Sequence, residues 1–485
     1  MKLPISANKD MFRRTALLSL SLFFAAHAFC FFNLTYSGAS VMLDVSRIRG
    51  SLIESGQFLA PYYFRLRGAL SAPLWVGMLS ALYLTLTASL AAWLLGFKKP
   101  LHLFVLCGAL ITNAATTAVF AASMHTADAV MLALMFSAAA AACCLRLRFG
   151  FIPGAALLTV SMALDPGALA FFTALACIVW LSDLLTGGKA SVHSALNVLS
   201  AAVAGIAVWL VGCLLMARRS GYALNACLHV PESDLLSAYL APVRALLAPL
   251  TAYARLSVAL RVLLVLLVLA AIVLNARRLG AKRTTLLILG ALLLPLLSAL
   301  PLFYPKDAAQ ITPAYCLIDT LLLVLLVRLA PEKPRFHAAI AAAFGVLFLG
   351  SVVFSNQVYL KKNLEFEASL SLTSRIIQRA EETEGYRPGF TPVAIIGTPE
   401  ESVYSVPRKG FEHLAALKAA SANHAVTNED EMIWYCWEVL GYPASFVSSY
   451  ELSQLKENEV VKAMPVFPAE RCCAFIGDTL VIRLN

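Results

Sequence analysis

Apolar stretches close to twenty residues long recur from the start of this chain to about residue 356, and no other feature constrains its fold as strongly. Coiled as α-helix, such a stretch matches the hydrocarbon thickness of a bilayer, and a soluble core for 485 residues has no need of so many. The stretches fall at 15–36, 69–96, 101–122, 128–145, 149–164, 166–186, 192–216, 257–275, 285–303, 313–330 and 336–356. They predict a polytopic α-helical membrane protein of about eleven spans. The stretches at 149–164 and 166–186 are short, and a single broken hairpin there would change the count.

The charges are distributed in a way that fits this reading. Residues after 356 carry 12 Lys+Arg and 17 Asp+Glu, which leaves 26 bases and 11 acids before them. The net charge of +10 therefore belongs to the membrane part, where it reads as a topology signal and not as a nucleic-acid footprint. Basic clusters at Arg13/Arg14, Lys98/Lys99, Arg146/Arg148, Lys189, Arg277/Arg278 with Lys282/Arg283, and Arg328/Lys333/Arg335 fall at every second boundary. The positive-inside rule then puts the N-terminus in the cytoplasm and the C-terminal segment outside the cell membrane. The first thirty residues have the basic start, apolar stretch and small-x-small ending (Ala26-His27-Ala28) of a signal peptide; the many spans that follow favour an uncleaved first span. Eleven cysteines form no CxxC pair and no disulfide framework, although one bridge among Cys436, Cys472 and Cys473 is open.

From about Gln357 the apolar runs shorten and acids and turn residues return, so residues 357–485 read as an extracytoplasmic α/β domain behind a multi-span domain at 1–356. "ASLSLTSRIIQRAEETEG" reads as an amphipathic helix, "PVAIIG" as a buried strand, "TNEDEMIWYCWEVLGY" as a helix capped at Thr427 or Asn428, and "CCAFIGDTLVIRL" as a hairpin around Gly477-Asp478. No Gly-rich phosphate loop follows a strand. Between spans, the segment near 217–256 reads as short amphipathic surface helices broken by Pro242 and Pro249, or as an ordinary loop packed on the bundle.

Several stretches, in order along the chain, resemble one family. These are the acid of "LDVSR" followed by "ESGQFLAPYYFRLRGALSAPLWVG", the turn "MHTADAVMLALMFSAAAAACCLR", the hairpin "LTVSMALDPGALAFFTALACIVWLSDLL", and the tail from "SNQVYLKKNLEFEASLSLTSRIIQRAEETEGYRPGFTPVAIIG" to "GDTLVIRL". The chain is similar over nearly its whole length to the polytopic glucosyltransferases of the serotype-conversion type, the type-two Gtr family that decorates O antigens and other cell-surface glycans. It departs from them in three places. One acid, Asp44, stands where the family often has two, its Gly-Arg is Gly56-Gln57, and its Tyr-Gln pair is Asp165-Pro166. The resemblance implies a GT-C-like architecture and transfer of a sugar, glucose in the family, from a polyprenyl-phosphate donor to a cell-surface glycan or lipid-linked acceptor on the outer face. A polyprenyl-phosphate glucosyl synthase and a flippase would then be functional partners. The departures leave the donor sugar and acceptor open.

Elementary chemistry points to the same end of the spans. A lipid-phosphate sugar keeps its reacting carbon at the interface, so a base for the attacking hydroxyl and cations for the departing phosphate must sit at the outer ends of helices. Asp44 is the candidate general base; the alternative is a lip ion pair with Arg47 or Arg49. Asp128 is the candidate partner of that base, an acceptor contact or a ligand for a divalent cation (Mg or Mn) shared with Asp44; the alternative is a helix N-cap. Arg47, Arg65, Arg67, His125, Arg244 and Lys306 are candidates for the donor phosphate, against snorkelling anchors for Arg65 and Arg67 and an interfacial role for His125. Asp165 and Gln57 are candidate acceptor contacts, and Asp319, inside a span, is costly unless it faces a partner. No other cofactor is expected. Two further function classes stay open: a non-catalytic membrane scaffold derived from such a transferase, and a lipid or solute transporter, against which stands the lack of repeated halves.

Overall fold

The computed structural model describes residues 5–36, 44–45, 48–186, 192–221, 254–298, 314, 316–329, 333–398, 411, 414 and 429–485. The segment near 217–256 lies outside the described residues from 222 to 253. In chain order the helices of the bundle are α1 (Ile5–Phe32), α2 (Arg49–Glu54), α3 (Ala60–Arg67), α4 (Pro73–Leu95), α5 (Pro100–Ile111), α6 (Ala114–Ala122), α7 (Ala127–Arg146), α8 (Phe151–Leu164), α9 (Ala168–Leu185), α10 (Val192–Ser220), α11 (Ala254–Leu279), α12 (Ala281–Ser298), α13 (Cys316–Leu329) and α14 (Pro334–Glu381). Among the described residues nine helical segments are long and apolar enough to cross a membrane, and α8 is a shorter apolar helix. The chain is a polytopic helical membrane protein. The expected stretches at 149–164 and 313–330 coincide with α8 and α13, of 14 residues each, which fall short of that length.

α5 and α6 make one pass with a break in it. Asn113 caps α6 by accepting from Thr116 N (2.9 Å) and returns its amide to the carbonyls of Ala109 (3.1 Å) and Leu110 (2.9 Å). A helix break at membrane depth is tolerable when the freed backbone groups are satisfied locally in this way. α1 is packed inside the bundle, with Phe23, Ala26, His27 and Cys30 buried.

Contacts sort the helix ends into two levels. At one end, Arg146 at the end of α7 holds Asp183 of α9 (3.0 Å) and the Leu94 carbonyl of α4, Arg328 of α13 reaches the Leu95 carbonyl, and Asn275 of α11 reaches Leu329 (3.0 Å). At the other end, here termed the lip, α2 and α3 lie against the start of α7, and Leu59 N donates to Ala163 at the end of α8 (2.9 Å). α14 runs from the first level through the lip, where Phe366 meets Tyr36 (6.4 Å between ring centroids), and continues to Glu381.

That continuity differs from expectation. The boundary expected at 356/357 falls inside a single 48-residue helix, and the amphipathic segment "ASLSLTSRIIQRAEETEG" continues α14. Its buried face beyond the lip carries Phe366, Ser369, Leu372, Thr373, Ile376 and Ala380, the spacing of one helical stripe. Beyond it lies a four-stranded sheet of order β2-β1-β4-β3, built from β1 (Pro392–Ile396), β2 (Ser445–Phe446), β3 (Cys473–Ile476) and β4 (Thr479–Arg483). β1 pairs in parallel with β2 and β4, and β3 and β4 form the antiparallel hairpin expected around Gly477-Asp478. Alternate residues of β1 and β4 enter two cores: Val393, Ile395, Leu480 and Ile482 join that of Leu372 and Ile376, while Ala394, Ile396 and Val481 pack with Val461 and Met464. "EDEMIW" forms the expected helix (α15, Glu429–Trp434), and the cap at Thr427 or Asn428 lies outside the described residues. All described cysteines are free; Cys472 and Cys473 hold their sulfurs 3.7 Å apart, unbonded.

Close approach fixes one helix pair in particular. A Cβ at Gly108 on α5 would collide with the ring of Phe348 on α14. Gly108→Ala is expected to cost ~1–3 kcal/mol through overpacking. The check is the thermal midpoint of the detergent-purified protein, which Phe348→Leu in the same chain should restore.

Candidate functional site

The first lip loop is shaped by backbone ties. Trp209 Nε1 of α10 donates to Gly56 O (3.0 Å), Tyr36 Oη donates to Ser71 O (2.6 Å), and Asp44 and Leu70 form an antiparallel bridge with Val45 N on Ala69 O (3.3 Å). α3 ends at Gly68 (φ +109°), and Ala69 follows at φ +63°, a left-handed conformation that costs a non-glycine residue ~1–2 kcal/mol. This turn brings the chain back to Asp44. Val45, Leu52, Ala60 and Phe64 bury a small apolar core against Ala129 of α7.

α3 directs its two arginines to opposite faces, since positions two apart on a helix differ by about 200°. Arg67 points into the protein. Its Nη1 lies 2.8 Å from Asp128 Oδ1, and the two side chains are 2% and 0% exposed. Its Nη2 donates to Ser71 Oγ (3.1 Å) and to the His125 carbonyl (2.5 Å), and its guanidinium lies 4.7 Å from the Phe64 ring centre. Tyr63 donates its phenol proton to Asp128 Oδ2 (2.7 Å). Burial first, and the Asp128 carboxylate second, push the Tyr63 phenol well above its ordinary value, so it stays a donor at neutral pH. Asp128 sits in the first turn of α7, one residue past the position after the Thr126 cap, and both its oxygens are engaged. That arrangement does not suit a divalent cation at Asp128, and among the described residues no three His, Cys, Asp or Glu side chains converge as a metal site.

Arg65 points out of the lip. With Arg49 it lines a cleft of about 100 Å³, together with Val45, Pro61, Tyr62, Phe64 and Ala69. Neither arginine has a carboxylate partner among the described residues. Asp44, half-buried, stands beside the cleft through its neighbour Val45 and its bridge to Leu70. A pair of unspent guanidinium forks next to a carboxylate can take an oxyanion and, beside it, accept a proton.

The remaining candidates scatter around this centre. His125 is buried, its carbonyl serves Arg67 and Ser71, and its Nδ1 has no hydrogen-bond partner among the described residues. Asp165 caps the end of α8 at the lip and accepts from Gly167 N (3.2 Å); burial pushes its carboxyl up to about 6, against that amide. Gln57 closes the turn between α2 and α3 through its backbone, donating to Leu52 O (2.8 Å). Arg47, Arg244 and Lys306 lie outside the described residues. Asp319 is held by Arg261 of α11 (3.3 Å).

Sequence reasoning passed over Tyr63, Ser71 and Arg261. The first two carry no signal in one sequence, because their roles exist only once α3 and α7 meet. Arg261 did carry one: a lone base within an apolar run, matched by a lone acid, Asp319, within another. Comparison of the chain with protein families, curated proteins and solved structures finds no match in any of the three.

Proposed function

We propose that this chain is a GT-C-like membrane glycosyltransferase that moves a sugar from a polyprenyl-phosphate donor to a cell-surface glycan at the lip, which faces away from the cytoplasm. The observation that carries the reading is the cleft at the lip bearing Arg49 and Arg65, which have no carboxylate partner among the described residues, beside Asp44. In this mechanism Asp44 takes the proton of the acceptor hydroxyl as its oxygen attacks the anomeric carbon. The bond to the donor phosphate breaks, and Arg49 and Arg65 stabilise the charge that gathers on the leaving phosphate. The buried Arg67–Asp128 pair and Tyr63 hold α3 so that Arg65 keeps its aim. The tail, as an extracytoplasmic α/β unit, guides the acceptor. Transfer of labelled glucose from polyprenyl-phosphate glucose into glycan, by membranes containing the chain, is the direct test; no transfer above membranes lacking the chain rejects the reading.

The charges also support an orientation. The end opposite the lip bears Arg13, Arg14, Lys98, Lys99, Arg146, Arg148, Arg277 and Arg278 against Asp10 and Asp183 among the described residues, which supports a cytoplasmic position. Reporters fused after Lys99 and after Asn485 are expected on opposite sides of the membrane, and a common side overturns the orientation.

A further inference from the structure

A second polar centre lies between α11 and α13. Arg261 and Asp319 are 9% and 8% exposed and joined by a single contact, Nη2 to Oδ2 at 3.3 Å. Among the described residues, Arg261 Nε and Nη1 and Asp319 Oδ1 are buried without a hydrogen-bond partner. α11 ends at the level opposite the lip, and Arg261 lies seven residues, about 10 Å, from the start of that helix, well inside an apolar span. Asp319, three residues into α13, lies about 5 Å below its start.

An ion pair at that depth is expensive, and a pair that spends one contact and leaves two donors and one acceptor idle does not offset its own desolvation. Buried orphan groups of both kinds call for a ligand of both kinds. Two donors on a guanidinium suit an oxyanion, and the free carboxylate oxygen suits a neighbouring hydroxyl. The next residues of α11 say what carries such a group: Val262, Leu263, Leu266 and Leu269 are 42–56% exposed and form a stripe that an acyl or prenyl chain can follow.

We infer that Arg261 and Asp319 form a binding site for a polyol-phosphate lipid headgroup, with the phosphate on Arg261, a hydroxyl on Asp319 and the lipid chain along α11. The site is separate from the cleft of Arg49 and Arg65 and does not depend on the transfer reading. The same chemistry has two sources, a bilayer phosphatidylglycerol and a lipid-linked sugar phosphate.

The test uses the full chain in detergent and native mass spectrometry with three probes: phosphatidylglycerol, phosphatidylcholine, which has the phosphate but lacks the polyol, and polyprenyl-phosphate glucose. The parent is expected to retain phosphatidylglycerol or the lipid-linked sugar in preference to phosphatidylcholine, and the one whose retention falls when Arg261 and Asp319 are replaced identifies the source. Arg261→Met alone strands Asp319 and is prone to misfold, so the deciding variant is the double Arg261→Met/Asp319→Leu, which removes both charges and keeps the packing. It is expected to keep its thermal midpoint and to bind the preferred lipid on the order of tenfold more weakly. Unchanged binding by the double variant, or equal retention of phosphatidylcholine by the parent, overturns the site.

Discussion

Asp44→Asn is expected to lower sugar transfer by about 100-fold or more while the protein still inserts and accumulates normally. The amide keeps the size and the bridge to Leu70, which is a backbone contact, but it cannot take a proton. If Asp44 served only as a half-exposed ion-pair partner, its loss would cost under ~1 kcal/mol of stability and leave transfer nearly intact. The two roles are therefore far apart on one measurement, incorporation of labelled sugar from a polyprenyl-phosphate donor in membranes matched for expression. Near-parental transfer would remove Asp44 from the chemistry. Because the leaving phosphate is proposed to rest on Arg49 and Arg65, the companion variant Arg65→Met should reduce the rate with the acceptor-dependent base untouched.

The largest expected effect on stability is at Arg67. Arg67→Met leaves the Asp128 carboxylate enclosed, 0% exposed, with Tyr63 as the one remaining side-chain donor among the described residues. Removing one member of a buried pair costs ~3–5 kcal/mol. The loss should be visible as a sharp fall in detergent-purified yield and thermal midpoint. The double variant Arg67→Met/Asp128→Leu has no stranded charge and should recover most of the loss. A single variant as stable as the parent would mean that the pair is hydrated and that α3 is not anchored through it.

What one sequence discloses here follows the range of the interaction. Spans are local: an apolar run of bilayer length announces itself, and the β3–β4 hairpin does so through Gly477-Asp478. The end of α14 did not, because the change at Gln357 from apolar to mixed residues reports a change of surroundings and not a break in the backbone. At the site, Asp44, Asp128 and the arginines were visible as charges near an interface. Their division of labour was not. Arg65 and Arg67 are interchangeable as letters, and only the helix from Ala60 to Arg67 turns one to the cleft and the other to Asp128. Asp128 likewise has the look of a cap, and 61 residues of chain separate it from the partner that occupies it.

The unbroken α14 makes the tail a fixture of the bundle. Forty-eight helical residues span about 72 Å, more than twice the ~30 Å hydrocarbon layer, so the helix is a rod that sets both the height of the sheet and the compass direction it faces. Lengthening that rod by one residue would turn the sheet by about 100°, whereas seven residues would lift it about 10 Å and return it almost to its original heading. The tail thus works as a calibrated post. Whatever rests on it is presented to the lip at one distance and from one side.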